Sequence, residues 1–286
     1  MKITKIINSN KPSLSFEVFP PKTSDKFESV LETTSKIAQF KPSYMSVTYG
    51  AGGGTSKYTT AICENLNNMG VTTLAHLTCV SSSKEKIHEE LINLKNHKIE
   101  NILALRGDLV DGQTLENASF RHASELITEI KKFGDFCIGG ACYPEGHPES
   151  ENITSDIEGL RLKVEAGCEF LTTQMFFDNN ILYNFLYRLL KAGINVPVIA
   201  GIMPVTSASQ IKRICSISSS RLPERFIRIV DRYGNDSNAM LQAGIAFATE
   251  QIIDLYANGI NAVHVYTMNK PEVARKIKEN LSEIIK

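Results

Sequence analysis

Short runs of apolar and β-branched residues alternate along the whole chain with longer segments of helical periodicity. The short runs predict strands buried on both faces, as in a parallel sheet. The longer segments carry apolar residues three or four positions apart, which is typical of amphipathic helices. The predicted strands cover residues 13–19, 44–49, 72–77, 101–105, 136–141, 170–175, 196–202 and 262–266. The predicted helices cover residues 24–39, 57–69, 83–96, 118–133, 154–166, 180–192, 207–219 and 237–258.

Each predicted helix follows a predicted strand. Ser83 and Thr154 are suitable residues to begin helices, and glycines such as Gly70 and Gly259 lie just past helix ends. Eight repeats in 286 residues average about 36 residues each, the size of one unit of a (β/α)8 barrel. No linker or low-complexity tract divides the chain. The sequence therefore predicts a single (β/α)8 TIM barrel over residues 1–286, with a doubly wound open sheet as the alternative.

The composition of the chain disfavours several classes of function. The 31 basic residues balance 31 acidic ones, without the basic excess that nucleic-acid binding requires. The longest apolar run, near residues 196–205, is broken by prolines and a glycine, so we expect neither a membrane span nor a secretory signal. Six cysteines without paired spacing favour reduced thiols in a cytoplasmic protein. We also expect a homo-oligomer.

Polar residues gather at the carboxyl end of every predicted strand, where the loops of a barrel converge and place catalytic groups. They include Glu17, Thr48, His76, the Arg106-Gly107-Asp108 turn, Tyr143 to His147, and Gln174. Taken singly, Glu17 could pair with a lysine, His76 could be a core histidine, and Asp108 could cap a turn. Taken together they are costly to bury without a ligand or partner, so their convergence indicates an active site.

Several chemistries can be compared at this end of the barrel. A Schiff-base aldolase would need a lysine at a strand end, and Lys22 and Lys270 are poorly placed for that role. A zinc site is disfavoured because Cys137, Cys142 and His147 lie on one strand and its loop, so we expect no metal.

Two further features remain open. The glycine-rich AGGGT segment after the second strand lacks the phosphate-binding fingerprints and is more typical of a flexible loop over the barrel mouth. Asp156, Gly159 and Lys163 share one face of a predicted helix. This face could reach a pyrophosphate or could form a solvated salt-bridging surface.

The motifs SFEVFPPK, SVTYGAGGGTS, HLTC, ALRGD, YPEGHPE, KVEAG, TQMFFD, GIMPV and YTMN occur in an order that resembles the methylenetetrahydrofolate reductase family of the bacterial, catalytic-domain type. The resemblance extends over nearly the whole chain. It implies a (β/α)8 barrel with non-covalent FAD. The implied reaction is ping-pong reduction of 5,10-methylenetetrahydrofolate to 5-methyltetrahydrofolate by a reduced nicotinamide, commonly NADH.

The resemblance also implies roles for the strand-end residues. Glu17 matches the family's general acid, which protonates N10 of the folate so that its five-membered ring opens to a 5-iminium cation. Asp108 matches the residue that stabilises this cation and tunes the flavin. Implied FAD contacts are Thr48, His76, Arg106, Gly107, Asp108, Ala123, Tyr143, His147, Asp156 and Lys163. Implied folate contacts are Glu17, Gln174, Tyr266 and Lys270.

The chain departs from the family pattern at several of these positions. His122 replaces a tyrosine, and Gly159 and Leu162 replace a polar and a basic residue near the FAD diphosphate. Ala208 replaces an aromatic residue that stacks on nicotinamide or folate in some relatives. Lys270 replaces an arginine, keeping the charge but losing the bidentate fork. The alternative function is therefore a flavoprotein electron-transfer subunit that reduces the folate only with a partner protein as electron source.

Overall fold

A computed structural model describes residues 1–50, 56–109, 114–217 and 220–286. Parallel strands close into a barrel in sequence order, and the last strand pairs with the first. The strands are β1 (Ser13–Val18), β2 (Met45–Val47), β3 (Thr73–Thr78), β4 (Asn101–Leu105), β5 (Cys137–Cys142), β6 (Phe170–Thr173), β7 (Val198–Ile202) and β8 (Ala262–Tyr266). The predicted TIM barrel is confirmed, and the pairing of β8 with β1 excludes the open sheet.

All eight predicted helices are present in the described residues, with three more that the sequence analysis did not predict: α1, α9 and α11. The helices are α1 (Ile3–Ile7), α2 (Phe27–Ala38), α3 (Ser56–Asn68), α4 (Lys84–Asn96), α5 (Ala123–Phe133), α6 (Ile153–Glu165), α7 (Asn179–Lys191), α8 (Ala208–Ile217), α9 (Glu224–Tyr233), α10 (Ser237–Ala257) and α11 (Pro271–Asn280). Helix α5 begins later than predicted, because the Glu125 carboxylate accepts the backbone N–H of His122 and fixes the first turn there.

Side chains alternate across each strand of the barrel. On β1, Leu14, Phe16 and Val18 belong to the main core, which also contains the apolar faces of the surrounding helices. A second cluster fills the barrel near the amino ends of the strands, where Phe170 packs with Ile3 and Ile7 of α1. This leaves the carboxyl end of the barrel as the place for polar side chains.

Asn101 holds α1 against the amino end of the barrel. Its buried amide group donates to the carbonyls of Met1 (3.1 Å) and Thr73 (2.9 Å) and accepts the N–H of Ile3 (2.9 Å). All of its hydrogen-bonding partners are backbone groups, so one side chain joins the N-terminal segment to β3 and β4.

The cysteines whose side chains are described are all free and buried: Cys63, Cys79, Cys137, Cys142 and Cys168. The side chain of Cys215 lies outside the described part of the structure. Within the described ranges, no His, Cys, Asp and Glu side chains form a group of three suited to a metal ion. Over the same ranges, no helix combines the length and apolar character needed to cross a membrane.

Candidate active site

Glu17 and His76 meet at the carboxyl end of the barrel. The alternation along β1 turns Glu17 away from the core that receives Phe16 and Val18, and Glu17 is 7% exposed. His76 Nε2 on β3 lies 3.5 Å from Glu17 Oε2 and makes no hydrogen bond. Burial lowers the pKa of His76 to about 4, so its ring is neutral at neutral pH. The structure thus brings two predicted site residues together as a carboxyl group beside an uncharged imidazole.

His264 on β8 adds a second imidazole that the sequence analysis missed. Its Nδ1 lies 2.7 Å from Ser15 Oγ, and its Nε2 lies 2.9 Å from Ser46 Oγ. Ser46 Oγ is in turn 3.4 Å from Glu17 Oε2. The ring of Tyr44 stacks on His264 with centroids 5.5 Å apart and planes 6° apart. The available signal was a polar residue at every second position of an otherwise apolar strand, as in SLSFE and AVHVY.

The loop after β8 fixes the end of β1. Thr267 Oγ1 donates to the carbonyl of Glu17 at 2.7 Å. The side-chain amide of Asn269 exchanges two hydrogen bonds of 2.8 Å with the backbone N–H and carbonyl of Phe19. Asn269 adopts φ 54°, a left-handed conformation that asparagine tolerates better than most residues. The backbone of the candidate acid is therefore held by the last βα loop.

Tyr266 and Lys270, two of the implied folate contacts, already have partners within the protein. The Tyr266 hydroxyl donates to the carbonyl of Thr173 at 2.6 Å, and burial raises its pKa well above the ordinary range. Lys270 Nζ donates to Thr206 Oγ1 at 2.7 Å. Gln174, the third, lines a small cavity together with Tyr143. Tyr266 and Glu17 face each other in the register between β8 and β1.

A mixed cluster of charged and aromatic side chains occupies the ends of β4 and β5 and the adjacent face of α6. Arg106 binds the Glu149 carboxylate with both terminal nitrogens, and these hydrogen bonds raise the pKa of the guanidinium. The rings of Tyr143 and His147 meet edge-on with centroids 4.6 Å apart. Sequence reasoning missed Glu149, since it gave Arg106 no internal partner.

The α6 side of this cluster places a buried acid near a half-buried base. Burial raises the pKa of Asp156 and lowers the pKa of Lys163. Lys163 Nζ donates to the carbonyl of Ala141 at 2.8 Å, and Asp156 Oδ1 accepts from Ser150 Oγ at 3.5 Å. The face that the sequence left open between a pyrophosphate site and a solvated salt-bridging surface is therefore partly buried.

The remaining predicted residues have mainly backbone roles in the described structure. Gly107 adopts φ 84°, and a Cβ there would lie 2.8 Å from Thr78 Cβ, so the turn requires glycine. Asp108 is exposed, and its charge contributes to the raised pKa of Arg106 after the larger effect of Glu149. The Thr48 carbonyl accepts from Thr59 Oγ1 at 2.8 Å, and Ala123 is buried at the start of α5. No described contact joins Thr48 or Ala123 to Glu17.

The cluster around Arg106 fits an anionic aromatic cofactor. Lys163 is a half-buried cation that donates to one neutral carbonyl, and the planar guanidinium of Arg106 lies nearby, bound to Glu149. On α6, Leu162 is 47% exposed and open space surrounds Gly159, so neither position adds a charge to this cluster. The glycine-rich segment at residues 51–55 lies outside the described residues.

Aromatic side chains near the end of β6 face the core. Phe176 is fully buried, and Phe177 stacks on Phe226 with centroids 5.4 Å apart. The Cβ of Ala208 faces the end of α9, 3.2 Å from where a Cβ on Gly234 would lie. Met203 is partly buried against the same cluster as Phe177.

A (β/α)8 barrel with a buried carboxyl group, two imidazoles and a mixed charged cluster toward the carboxyl ends of its strands has the organisation of a barrel enzyme. A family model described as "Methylenetetrahydrofolate reductase" matches residues 2–282, and the chain belongs to that family. The resemblance predicted from the sequence motifs is thereby confirmed.

Similar proteins come from bacteria and plants. The chain is 35% identical to "5,10-methylenetetrahydrofolate reductase" of Buchnera aphidicola over 94% of this chain and 91% of that protein. It is 33% identical to the protein of the same name from Escherichia coli, over 94% and 90%. It is 34% identical to "Methylenetetrahydrofolate reductase (NADH) 1" of Arabidopsis thaliana over 99% of this chain, but spans only 50% of that plant relative.

Solved structures share the fold at low sequence identity. An uncharacterized protein from Clostridium thermocellum, described as binding two copies of 5-methyl-5,6,7,8-tetrahydrofolic acid, superposes with a TM-score of 0.66 at 14% identity and covers 99% of both chains. An oxaloacetate acetylhydrolase superposes with a TM-score of 0.57 at 10% identity, over 99% of this chain and 85% of that one. These likenesses establish the barrel alone.

Proposed function

We propose that this chain reduces 5,10-methylenetetrahydrofolate to 5-methyltetrahydrofolate, with a reduced nicotinamide, NADH, as electron donor and FAD as cofactor. Family membership and the names of the bacterial relatives support the reaction class. The observation that carries the proposal is the buried carboxyl group of Glu17 at the barrel mouth, beside the neutral ring of His76.

Glu17 serves as the general acid in this proposal. Opening the folate ring requires a proton on the leaving nitrogen N10, and a positioned carboxyl group can supply it. General acid catalysis contributes about 10²- to 10⁴-fold to a rate. The hydrogen bond from Thr267 to the Glu17 backbone, together with the burial of the side chain, holds the donor in a fixed position. His76, neutral at neutral pH, adds no charge beside the acid.

FAD, when bound, would accept electrons from the nicotinamide and deliver them to the folate in alternating half-reactions. The chain would hold its anionic portion with Arg106, His147 and Lys163, next to Asp156. Thr48, His76, Gly107, Ala123 and Tyr143 complete the proposed FAD contacts. Asp108 is exposed at the end of β4, and its negative charge would stabilise a cation that develops in the substrate.

Gln174, Tyr266 and Lys270 would position the folate. Gln174 lines the small cavity beside Tyr143, and its side-chain oxygen accepts the backbone N–H of the neighbouring Met175 at 2.9 Å. Tyr266 lies across from Glu17 on the adjacent strand. Lys270 supplies a positive charge for an acidic folate tail, once it exchanges its hydrogen bond to Thr206 for that partner.

A second candidate function rests on the aromatic side chains near β6. Phe176 and Phe177 are committed to the core, and Ala208 packs toward α9, so none of these three offers a stacking surface for nicotinamide. In this alternative the protein receives electrons from a partner protein and still reduces the folate. Steady-state assay of the purified chain with NADH and an artificial quinone acceptor distinguishes the two, since only a self-sufficient enzyme oxidises NADH alone.

The Glu17→Gln variant tests the proposed acid. We expect it to retain bound flavin and its reduction by NADH, while methyltetrahydrofolate formation falls at least about 10²-fold, because only the folate half-reaction needs a proton donor. The matched control is Glu64→Gln, an exposed acid on α3. Stopped-flow spectroscopy of the flavin follows each half-reaction separately. An unchanged folate rate in Glu17→Gln would remove Glu17 from this role.

A further inference from the structure

The outer face of α7 exposes two large apolar side chains near its carboxyl end. Tyr187 is 62% exposed and Leu190 is 64% exposed, and among the described residues only Met1 exposes a larger fraction of a large apolar side chain. The two residues are three positions apart, so they lie next to each other on the helix surface. Single exposed apolar residues are ordinary, but a contiguous pair is more typical of a surface that contacts another protein.

The same end of α7 is basic. Arg188 and Lys191 are exposed, and Lys191 Nζ lies 5.8 Å from the ring centroid of Tyr187. Helix α7 contains no acidic residue, and within the part of the chain that the structure describes neither basic side chain forms an ion pair. We call these four exposed side chains, those of Tyr187, Arg188, Leu190 and Lys191, the α7 knob. The knob combines apolar surface with two positive charges.

A groove lies at the other end of α7, where this helix meets α9 and α10. Its volume is about 390 Å³. Phe177 and Phe247 contribute apolar lining, and the charged residues that line it are Asp178, Arg225, Glu250 and Asp254. With three acids against one base, this acidic groove carries an excess of negative charge.

Hydrogen bonds keep the acids of the groove ionised. Both terminal nitrogens of Arg225 donate to the Glu250 carboxylate, which lowers the pKa of that carboxyl group. Asp254 Oδ2 accepts from Asn179 Nδ2 at 2.6 Å and from the Tyr183 hydroxyl at 2.7 Å, and these bonds lower its pKa as well. Because Arg225 neutralises only one of the acids, the acidic groove stays negative at neutral pH.

We propose that a second copy of this chain binds to this surface, with the two α7 helices antiparallel across a twofold axis and the α7 knob of each copy in the acidic groove of the other. A twofold contact uses the same surface on both copies, so that surface has to carry complementary ends. Asn180, which lines the acidic groove, and Lys191 lie about 16 Å apart along α7. Antiparallel packing therefore places a basic end on an acidic end twice.

The chemistry of the α7 knob suits this groove. A lysine side chain can lay its apolar stem along an aromatic lining while its ammonium group reaches a carboxylate. A small molecule in the groove would leave Tyr187 and Leu190 uncovered, since neither of them lines it. A second copy covers the groove and the exposed apolar pair together, and it gives the homo-oligomer expected from the sequence a specific contact surface.

The outer surface of α7 and α10 has the area that a dimer needs. Asn179 Nδ2 donates to the Gln251 carbonyl at 3.0 Å and joins the two helices side by side. With 13 and 21 residues, they are about 20 Å and about 30 Å long, and each is about 10 Å wide. They present about 500 Å² in projection, and the accessible area of a ridged surface exceeds its projection. Stable interfaces bury about 600–1,000 Å² per partner.

Charge reversal on each half of the contact tests this pairing. Lys191→Glu makes the knob less basic, and Glu250→Lys removes the excess negative charge of the groove. Leu190→Glu replaces the apolar part of the knob with an acid. The controls lie on α4, which has 13 residues like α7. Ile92 is 50% exposed and Lys95 is exposed in the last turn, so Ile92→Glu and Lys95→Glu make the same changes on another face.

The measurement is the mass of the purified protein in solution, by sedimentation velocity over a range of concentrations. We expect the wild type to self-associate through this contact. Each variant of the knob or groove raises its Kd at least about 100-fold, a factor of about ten for each of the two symmetry-related halves, whereas both α4 variants match wild type.

An equimolar mixture of Lys191→Glu and Glu250→Lys is the sharper test. In the mixed dimer one half of the contact is wild type and the other half exchanges its charges. We therefore expect the mixture to associate with a Kd within about tenfold of the wild-type value, although neither variant associates well alone. Recovery also shows that both variants are folded.

Three results would each overturn the inference. The first is a wild type that stays monomeric at every concentration. The second is self-association that the knob and groove variants leave unchanged, since the contact then lies on another face. The third is a mixture that does not recover, since the knob then does not enter the groove. The proposed reaction is followed separately by flavin spectroscopy, so none of these results bears on it.

Discussion

Gly201 on β7 leaves space for the side chain of Tyr266, on β8, to pass over β7 and contact β6. A Cβ at this position would lie 2.3 Å from the Thr173 carbonyl oxygen and 2.4 Å from the Tyr266 hydroxyl, the two atoms that share a 2.6 Å hydrogen bond. Both distances are far below van der Waals contact. Gly201→Ala therefore has to displace the tyrosine ring and separate it from its acceptor.

The expected cost follows from two contributions. Overpacking a tight core site costs about 1–3 kcal/mol, and leaving a buried hydrogen-bonding group unpaired costs about 1–3 kcal/mol. We expect the free energy of unfolding to fall by about 3 kcal/mol. With an unfolding entropy of about 2.1 cal/mol/K per residue, this lowers the Tm of a chain of 286 residues by about 5 °C. Folate affinity should fall as well, since Tyr266 is a proposed folate contact.

Thermal unfolding and folate titration of Gly201→Ala test this reasoning. Tyr266→Phe is the companion variant, because it loses the hydrogen bond without adding volume and should be destabilised less. Gly159→Ala is the opposite control: nothing lies within 4 Å of a Cβ there, and the helix interior should gain about 0.5–1 kcal/mol. A Tm of Gly201→Ala equal to that of wild type would refute the steric argument.

Two further predictions concern stability. Asn101→Ala leaves the backbone groups of Met1, Ile3 and Thr73 without their side-chain partner. We expect denaturant unfolding to show a free energy of unfolding lower by about 2–4 kcal/mol, with unchanged activity per folded molecule. The exposed control Asn195→Ala should show no such loss. The folded-state pKa of His76, about 4, lies below its ordinary value of 6.5, so the unfolded chain binds a proton first and stability decreases as pH falls from about 6.5 to about 4. Urea unfolding measures the decrease in the free energy of unfolding between pH 7 and pH 4.5. We expect this decrease to be about 2–3 kcal/mol smaller in His76→Gln than in wild type, and equal decreases would contradict the assignment to His76.

Periodicity predicted the barrel strands well because both faces of each strand are buried, which produces unmistakable apolar runs. It did not predict α1, whose five residues are too few to show a helical period. The proline at the first position of α11 is a typical signal for the start of a helix, but the sequence analysis did not use it.

The site was predicted in part. Glu17 and His76 stand out at strand ends, and the structure brings them within 3.5 Å. His264 lies two residues before Tyr266 on β8. Its hydrogen bonds depend on which serines of β1 and β2 lie opposite it. That register arises from closing the barrel between strands about 250 residues apart, and no local pattern encodes it. The partner of Arg106, Glu149, was missed for the same reason, because the contact joins two different loops.

The hydrogen bonds from Thr267 and Asn269 to Glu17 and Phe19 join residues 250 positions apart. Contacts of such separation form late in folding, since most of the chain must be ordered before the ends of the loop can meet. The amino-terminal strands emerge first during synthesis, yet the acid on β1 is fixed only when β8 inserts beside it. A nascent chain would therefore position its proposed proton donor in the final assembly step, and we expect fragments that lack β8 to be inactive however well their earlier βα units have folded.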